Sequence, residues 1–505
     1  MARQMAAWEP RRGDPVLVAT RRPQEPSLAA RVLQNVGRLL WWAVRYPYLS
    51  LPLLAAAWIG RQFGPLPLAL VLTVVTAALV LWHRHRPASF ARTFLLWRRW
   101  LRRVQYARHW QPAMVGADLH DGFGGQTQVP RLGRVTLTEH GERVEVHLLH
   151  GQTPQQFMDR ADAFAHSFVA QRCSVRSLGT GRVVLAFQRV DPLATVVEPA
   201  PLPADGADVD LAALPLGLRE DGRPWTLGLL GRHVLLAGSA GAGKGSFLWG
   251  IIRALAPAVT EGQVQLWGVD PKMGVELSFG RSLFARYWDG DATTTPEPAS
   301  DDDDTARRRT RRDDKPSDPA LAELAQLLDD AVALMQDRLR RMRGTSRSHV
   351  PTTAEPLVVL VVDELAFLTA YAVDRDLDKR IDRSLRLLLS QGRAPGVLVV
   401  AGIQDPRKET LPFRDLFTFR VAMRLVEPEA VDLVLGNGAR LRGAHADAIA
   451  TTMPGTAYVV LDGEPEPVRV RAAWIGDDEL RDLATRYPAP VPLRLVKDDT
   501  GEAAA

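Results

Sequence analysis

The chain has 505 residues, 46% of them hydrophobic, a formal net charge of +5 and a single cysteine. That length leaves room for two or three domains, and the lone Cys173 excludes a disulfide framework and suits a reducing compartment. The basic residues are overwhelmingly arginine and crowd the N-terminal quarter, so the modest net charge hides a strongly basic beginning.

Residues 1–38 read as a basic cytoplasmic segment and residues 39–83 as a transmembrane helical hairpin. Gly64–Trp82 is uncharged and just long enough to span about 30 Å of hydrocarbon. Tyr46–Gly60 is shorter and crosses only if Trp41, Trp42, Arg45 and Arg61 form its ends. The alternatives are a buried core helix or a cleaved signal peptide. The latter is disfavoured, because the first apolar stretch starts late and no small-residue cleavage site follows it. A short loop, Arg61–Pro65, would join the two spans. Arginines such as Arg31, Arg38 and Arg45 before the hairpin, and Arg84, Arg86 and Arg92 after it, outweigh Arg61 in the loop. Both ends are therefore expected in the cytoplasm, at the plasma membrane.

Residues 84–110 interleave Trp97 and Trp100 with arginines. They predict a basic juxtamembrane helix on anionic lipid, where each arginine is worth about 1 kcal/mol; a nucleic-acid patch is the rival reading. Residues 111–191 follow as a small α+β module: a strand at Arg143–Leu149, a helix over Pro154–Gln171 opened by Thr153, and strands at Cys173–Leu178 and Gly181–Phe187. Nothing in it looks catalytic. Residues 192–214, rich in Pro, Ala and Asp, read as a linker.

The chemistry is concentrated in residues 215–482. The apolar run His233–Ala237 leads into Gly238, Ser239, Ala240, Gly241, Ala242, Gly243, Lys244, Gly245 and Ser246, and then into Phe247–Ile252. Strand, glycine-rich turn and helix start form a phosphate-binding loop: convergent backbone N–H groups and the helix N-terminus attract an anion, and Lys244 reaches the outer phosphates of ATP. A glycine-rich turn with a stray lysine is the alternative, which the flanking strand and helix disfavour. One departure is plain. Gly245 stands where a Ser or Thr usually binds Mg²⁺, and the hydroxyl comes one residue late, at Ser246.

Leu357–Val362 is a continuous apolar run ending in Asp363 and Glu364, as for a strand buried on both faces of a parallel sheet. Acids at its C-terminal end belong beside the phosphate loop. Asp363 is then a Mg²⁺ ligand and Glu364 the group that polarises water. Gly262–Asp270, followed by Pro271 and Lys272, predicts a second strand ending in charge at the same edge. Val397–Gln404 predicts a third, with Gln404 either a γ-phosphate sensor or an ordinary strand-end polar residue. Phe419–Leu425 predicts a fourth. Residues 289–319, with blocks of aspartate and arginine, read as a disordered insertion, Leu321–Arg343 as a helix, and residues 483–505 as a C-terminal tail.

These landmarks together resemble the motor domain of the FtsK/SpoIIIE family. The matching segments are the phosphate loop, Asp270-Pro271-Lys272 with Gly274–Leu277, Val362–Leu365, Gly392–Gly396 with Ala401–Gln404, and Met453–Gly455. The Gly-Lys-Gly-Ser loop is similar to that of the actinomycete conjugation branch. The resemblance implies a RecA-like α/β P-loop motor that assembles as a ring, a homo-hexamer, around double-stranded DNA. Lys244 would bind the β- and γ-phosphates, Asp363 would hold Mg²⁺, Glu364 would orient water, and an arginine from the neighbouring subunit, Arg338, would complete the site. Gly402 departs from the family's usual Thr. The expected function is a membrane-anchored, ATP-driven DNA translocase, for conjugative transfer or chromosome segregation. A type VII secretion-like ATPase moving proteins is the alternative; such proteins typically string several motor domains together, and one phosphate loop is visible here. No winged-helix domain is expected after Trp474, hence no strong sequence preference on DNA.

Overall fold

A computed structural model of the protein describes residues 60–123, 126–291, 319–370, 375–407 and 413–490, with Ala55, Ala56 and Trp58. Residues 1–98 and 99–505 form two compact units.

In the first unit, α1 (Pro65–His85) opens on Gly64 and a proline at its first position, where a missing N–H costs nothing. The Thr73 and Thr76 hydroxyls donate to the carbonyls of Ala69 and Leu72, so both hydroxyls are satisfied within this apolar helix. Among the described residues α1 is the one helix long and apolar enough to cross a membrane. The expected two-helix hairpin is not supported. Tyr46–Leu54 lies outside the described residues, and Arg61–Phe63, expected in the loop Arg61–Pro65, are helical and meet α1 at Gly64, φ 87°.

The helix α2 (Pro87–Gly116) was expected to lie on lipid as far as residue 110. Its C-terminal half instead belongs to the small module: Tyr106, Trp110, Ala113 and Met114, spaced as one helical face, are buried. The short hairpin β1 (Asp121–Phe123) and β2 (Gln126–Gln128) precedes β3 (Arg131–Leu137) and β4 (Gly141–His147). Then come α3 (Pro154–Met158) and α4 (Ala161–Ser167), and β5 (Arg172–Ser177) and β6 (Arg182–Gln188) close an antiparallel sheet of order β3-β4-β6-β5. The single helix expected over Pro154–Gln171 is thus two, interrupted where Arg160 adopts φ −107°, ψ 9°. The strand β3 escaped sequence reading because it is an edge strand with one buried side chain, Val135. Buried Glu142 organises the module, taking Arg189 at 2.9 Å, Arg102 at 3.2 Å and the Tyr106 hydroxyl at 3.3 Å.

The motor begins with β7 (Leu214–Arg219) and β8 (Pro224–Leu227). It continues through β9 (Val234–Ala237), α5 (Lys244–Thr260), β10 (Val264–Val269), β11 (Phe284–Trp288), α6 (Pro319–Met342), β12 (Leu357–Val362), α7 (Leu365–Ala370), α8 (Arg375–Gln391), β13 (Val397–Ile403), β14 (Phe419–Met423), α9 (Pro428–Leu435), β15 (Thr456–Leu461), β16 (Glu464–Ala472) and α10 (Asp477–Arg486). All ten strands form one sheet, β11-β10-β12-β13-β9-β14-β15-β16-β7-β8. The first six are mutually parallel and the remainder pair antiparallel. Every residue of β9, β12 and β13 is buried, as strands covered by helices on both faces must be. Alternate side chains serve opposite cores: Val358, Leu360 and Val362 join α6 and α8, while Leu357, Val359 and Val361 join α5 and α10. This is the P-loop motor fold that the sequence motifs imply.

Residues 192–214, read as a linker, are packed on the motor: Leu193 is buried and Arg471 donates to the carbonyls of Leu193, Ala194 and Thr195. Residues 292–318 of the expected insertion lie outside the described residues, and α6 starts at its far end. Module and motor meet across a polar seam. Arg176 pairs with Glu464 at 3.1 Å and Glu220 at 3.3 Å, Arg469 pairs with Asp191 at 2.6 Å, and Arg172 donates to the Tyr458 hydroxyl at 2.6 Å.

Candidate active site

The phosphate loop runs from the end of β9 to the start of α5, at the C-terminal edge of the parallel strands, where α/β sheets bind ligands. Gly243 adopts φ 91°, and a Cβ there would collide with the Gly455 backbone, so this position needs glycine on two counts. The contact also explains why Met453-Pro454-Gly455 accompanies the loop: the Gly455 N–H donates to the Ala242 carbonyl at 2.9 Å. On the other flank, Ser239 is tied to the Arg424 carbonyl through both its N–H and its hydroxyl, each at 2.9 Å. The Lys244 ammonium donates to the Gly238 carbonyl at 2.9 Å and so lies folded over the loop it is expected to serve. Burial lowers its pKa, and the Lys272 ammonium adds to that; the carboxylates of Glu364, Asp363 and Glu276 oppose it.

Two strands away, β12 delivers Asp363 and Glu364 to the same edge, with β13 between β12 and β9. Asp363 is 2% exposed and Glu364 9%. Gly402 on β13 is forced by this arrangement: a side chain there would strike the Asp363 carbonyl, which accounts for the departure from threonine. The Gln404 N–H donates to Glu364 Oε1 at 3.2 Å, so the expected sensor residue abuts the acid; its own side chain is exposed.

The third component comes from the loop after β10, which sequence reading noticed as a landmark without assigning it a role. Fully buried Asp270 folds it, accepting N–H bonds from Lys272 at 3.1 Å, Glu276 at 2.9 Å and Leu277 at 2.8 Å. The loop thereby presents two side chains to the site. Lys272 places its ammonium 2.5 Å from Asp363 Oδ2 and 3.9 Å from Glu364 Oε2. Burial works against this ammonium, but its hydrogen bond to Asp363 together with the negative charges of Asp363, Glu364 and Asp270 raises its pKa. Glu276 reaches Gly245, and burial followed by repulsion from Asp363 raises its pKa. The available signal was charge at a strand's C-terminal end, Lys272 and Glu276 following Asp270.

The residues suit a divalent cation held jointly with a nucleotide. Asp363 is a buried carboxylate whose one salt-bridge partner is a cationic ammonium, and Glu364 Oε2 has no hydrogen-bond partner. Among the described residues no three His, Cys, Asp or Glu form a metal cage, which fits Mg²⁺ bound by one or two carboxylates and completed by phosphate oxygens and water.

Two expected site residues sit elsewhere. Ser246 faces the Gly455 side of α5, while Gly245 faces Glu276. Arg338, the expected trans-acting arginine, is 3% exposed inside its own subunit. It donates to the carbonyls of Pro395 at 3.1 Å, Gly396 at 3.2 Å and Pro356 at 2.7 Å, at the ends of β12 and β13 opposite the phosphate loop.

Comparison with known proteins gives the same assignment from two independent stretches. Residues 208–282, which contain the phosphate loop and the Asp270–Leu277 loop, match the FtsK/SpoIIIE family. Residues 85–189, covering α2 and the small module, match the actinomycete conjugal transfer protein N-terminal domain. The family resemblance holds. The DNA translocase FtsK of Corynebacterium efficiens is 25% identical over 260 residues, which is 49% of this chain and 24% of that protein. FtsK of Lactococcus lactis subsp. lactis is 26% identical over 296 residues, 54% of this chain and 33% of that protein. The chain thus spans a quarter to a third of the length of these FtsK/SpoIIIE relatives. Among solved structures, the pCW3 conjugation coupling protein TcpA in its monomer form with ATPγS aligns over 75% of this chain and 98% of its own, with a TM-score of 0.46 and 16% identity.

Proposed function

We propose that this chain is a membrane-anchored ATPase that translocates double-stranded DNA, with conjugative transfer as its setting. The observation that carries the reading is the convergence of the phosphate loop, Asp363 and Glu364 at one sheet edge, in a chain whose module matches a conjugal transfer domain. In this reading the N–H groups of Gly241 and Gly243 and the start of α5 bind the phosphates of ATP. Lys244 exchanges the Gly238 carbonyl for the β- and γ-phosphates. Glu364, whose Oε2 has no hydrogen-bond partner, polarises the attacking water, and the Gln404 N–H on its other oxygen fixes its orientation. Bound Mg²⁺ would neutralise charge on the phosphates, with Asp363 as a ligand. Helix α1 anchors the chain, and a ring of copies, six by the family pattern, encloses the duplex. Arg338, held inside its own subunit, is not proposed for the arginine supplied between subunits.

The test is ATPase activity of the full-length protein with and without duplex DNA. Lys244→Ala is expected to abolish hydrolysis. Glu364→Gln is expected to retain nucleotide while turnover falls by several orders of magnitude. Undiminished turnover in either variant would overturn the corresponding role. Stimulation by a protein substrate's tail, with none by any duplex, would favour the protein-secretion alternative.

A further inference from the structure

Gly245 leaves the phosphate loop without the hydroxyl that usually meets Mg²⁺, and the structure shows what occupies the space. A Cβ built on Gly245 would run into Glu276 Oε1 before any other atom. The glutamate is held there by its own backbone: its N–H and that of Leu277 both bind Asp270 Oδ2, and Met273 and Gly274 turn the intervening loop at φ 57° and 74°. Its carboxylate makes no ion pair or hydrogen bond with the described residues, although it is half-buried beside Asp363 and the two lysines. An independent sign that a cation belongs between these groups is Glu364 Oε2, on a residue 9% exposed and without a hydrogen-bond partner. Another is the Lys272 ammonium, set 2.5 Å from Asp363 Oδ2. Ser246, one residue along α5 and so about 100° around it, points to Gly455 on the other side.

We propose that Glu276 replaces the missing hydroxyl as a ligand of the nucleotide-bound divalent cation, so that Glu276 and Asp363 hold the ion together beside the start of the phosphate loop's helix. A side chain at 245 and the Glu276 carboxylate meet in the same space. The proposal rests on the nucleotide-binding reading above.

The probe is Mn²⁺ with ATPγS on the full-length protein, the free ion followed by electron paramagnetic resonance. Glu276→Ala is expected to weaken Mn²⁺ binding to the protein–nucleotide complex about ten- to a hundred-fold. ATPγS affinity in the presence of EDTA should stay unchanged. Glu276→Gln, which keeps the shape and removes the charge, should show the same loss and guards against a folding defect. Adding Gly245→Ser to Glu276→Ala should recover most of the Mn²⁺ affinity, whereas Gly245→Ser alone should give no gain. Unchanged Mn²⁺ affinity in both Glu276 variants, or no recovery in the double variant, overturns the proposal. Failure of the underlying reading looks different: ATPγS would then fail to bind the unmutated protein, or would bind Lys244→Ala equally well.

Discussion

Single residues in this protein are constrained mainly by close approaches of backbone to charge. Gly402 and Gly243 are glycines because the Asp363 carbonyl and the Gly455 backbone leave no room for a side chain. His233 is a different case. It is fully buried at the start of β9, accepts the Val399 N–H at its Nδ1 at 3.0 Å, and has an unpartnered Nε2. Burial, with the Arg393 charge nearby, lowers its pKa to about 4. Between that value and the ordinary one near 6.5, the unfolded chain binds a proton that the native state does not, so stability rises with pH in this window. Acidification from about pH 6.5 to 4 should therefore cost the fold roughly 3 kcal/mol through this one residue, with no effect above pH 7. Thermal unfolding of the unmutated protein and of His233→Gln across that range checks it. The gap between the two melting curves should change as pH falls, and a constant gap refutes the assignment.

At the scale of elements, α6 acts as a clamp on the central sheet. Its N-terminal turns pack Leu321, Leu324 and Leu328 into the core, and at its C-terminal end Arg338 turns inward to carbonyls that close the entrances of β12 and β13. Arg338→Ala would leave the carbonyls of Pro356, Pro395 and Gly396 without this partner, at a cost of about 3 kcal/mol. Arg338→Lys should not restore stability, because a single ammonium cannot reproduce the guanidinium fork. Denaturant unfolding measures this directly. A variant of unchanged stability but lost turnover would instead return Arg338 to the role of an arginine acting on a neighbouring subunit's nucleotide. The small module repeats the pattern with Glu142, whose buried charge is met by Arg102 and Tyr106 from α2 and by Arg189 just after β6.

For the whole molecule, the polar seam between module and motor joins them within the compact unit of residues 99–505. In the proposed reading the motor grips the DNA backbone, and backbone contacts carry no base information. Stimulation of ATPase activity should then be similar for unrelated plasmids and fall steeply over a salt series, as the entropic gain from released counterions shrinks. Stimulation that is insensitive to salt, or confined to one short sequence, would count against a backbone grip.

The sequence by itself determined the elements whose signal is local. The apolar runs of β9, β12 and β13 can only be strands covered on both faces, the glycine-lysine turn can only bind an anion well in that context, and α1 and α6 announce themselves by length and period. Lys244, Asp363 and Glu364 were legible because each sits at the end of such a run. The strands β3, β7, β8, β11, β15 and β16 were not: β3, β8 and β11 lie at sheet edges, and β7 and β16 pair with each other across most of the motor's sequence, β15 joining β16 to β14. Only the tertiary structure decided which side of α5 faces the acids, that Glu276 fills the space left by Gly245, that Lys272 binds Asp363, and that Arg338 points inward. The first three depend on an irregular loop folded by Asp270 on the Glu276 N–H, and the last on Pro395, distant in sequence, lying beside α6; neither leaves a period in the sequence to read.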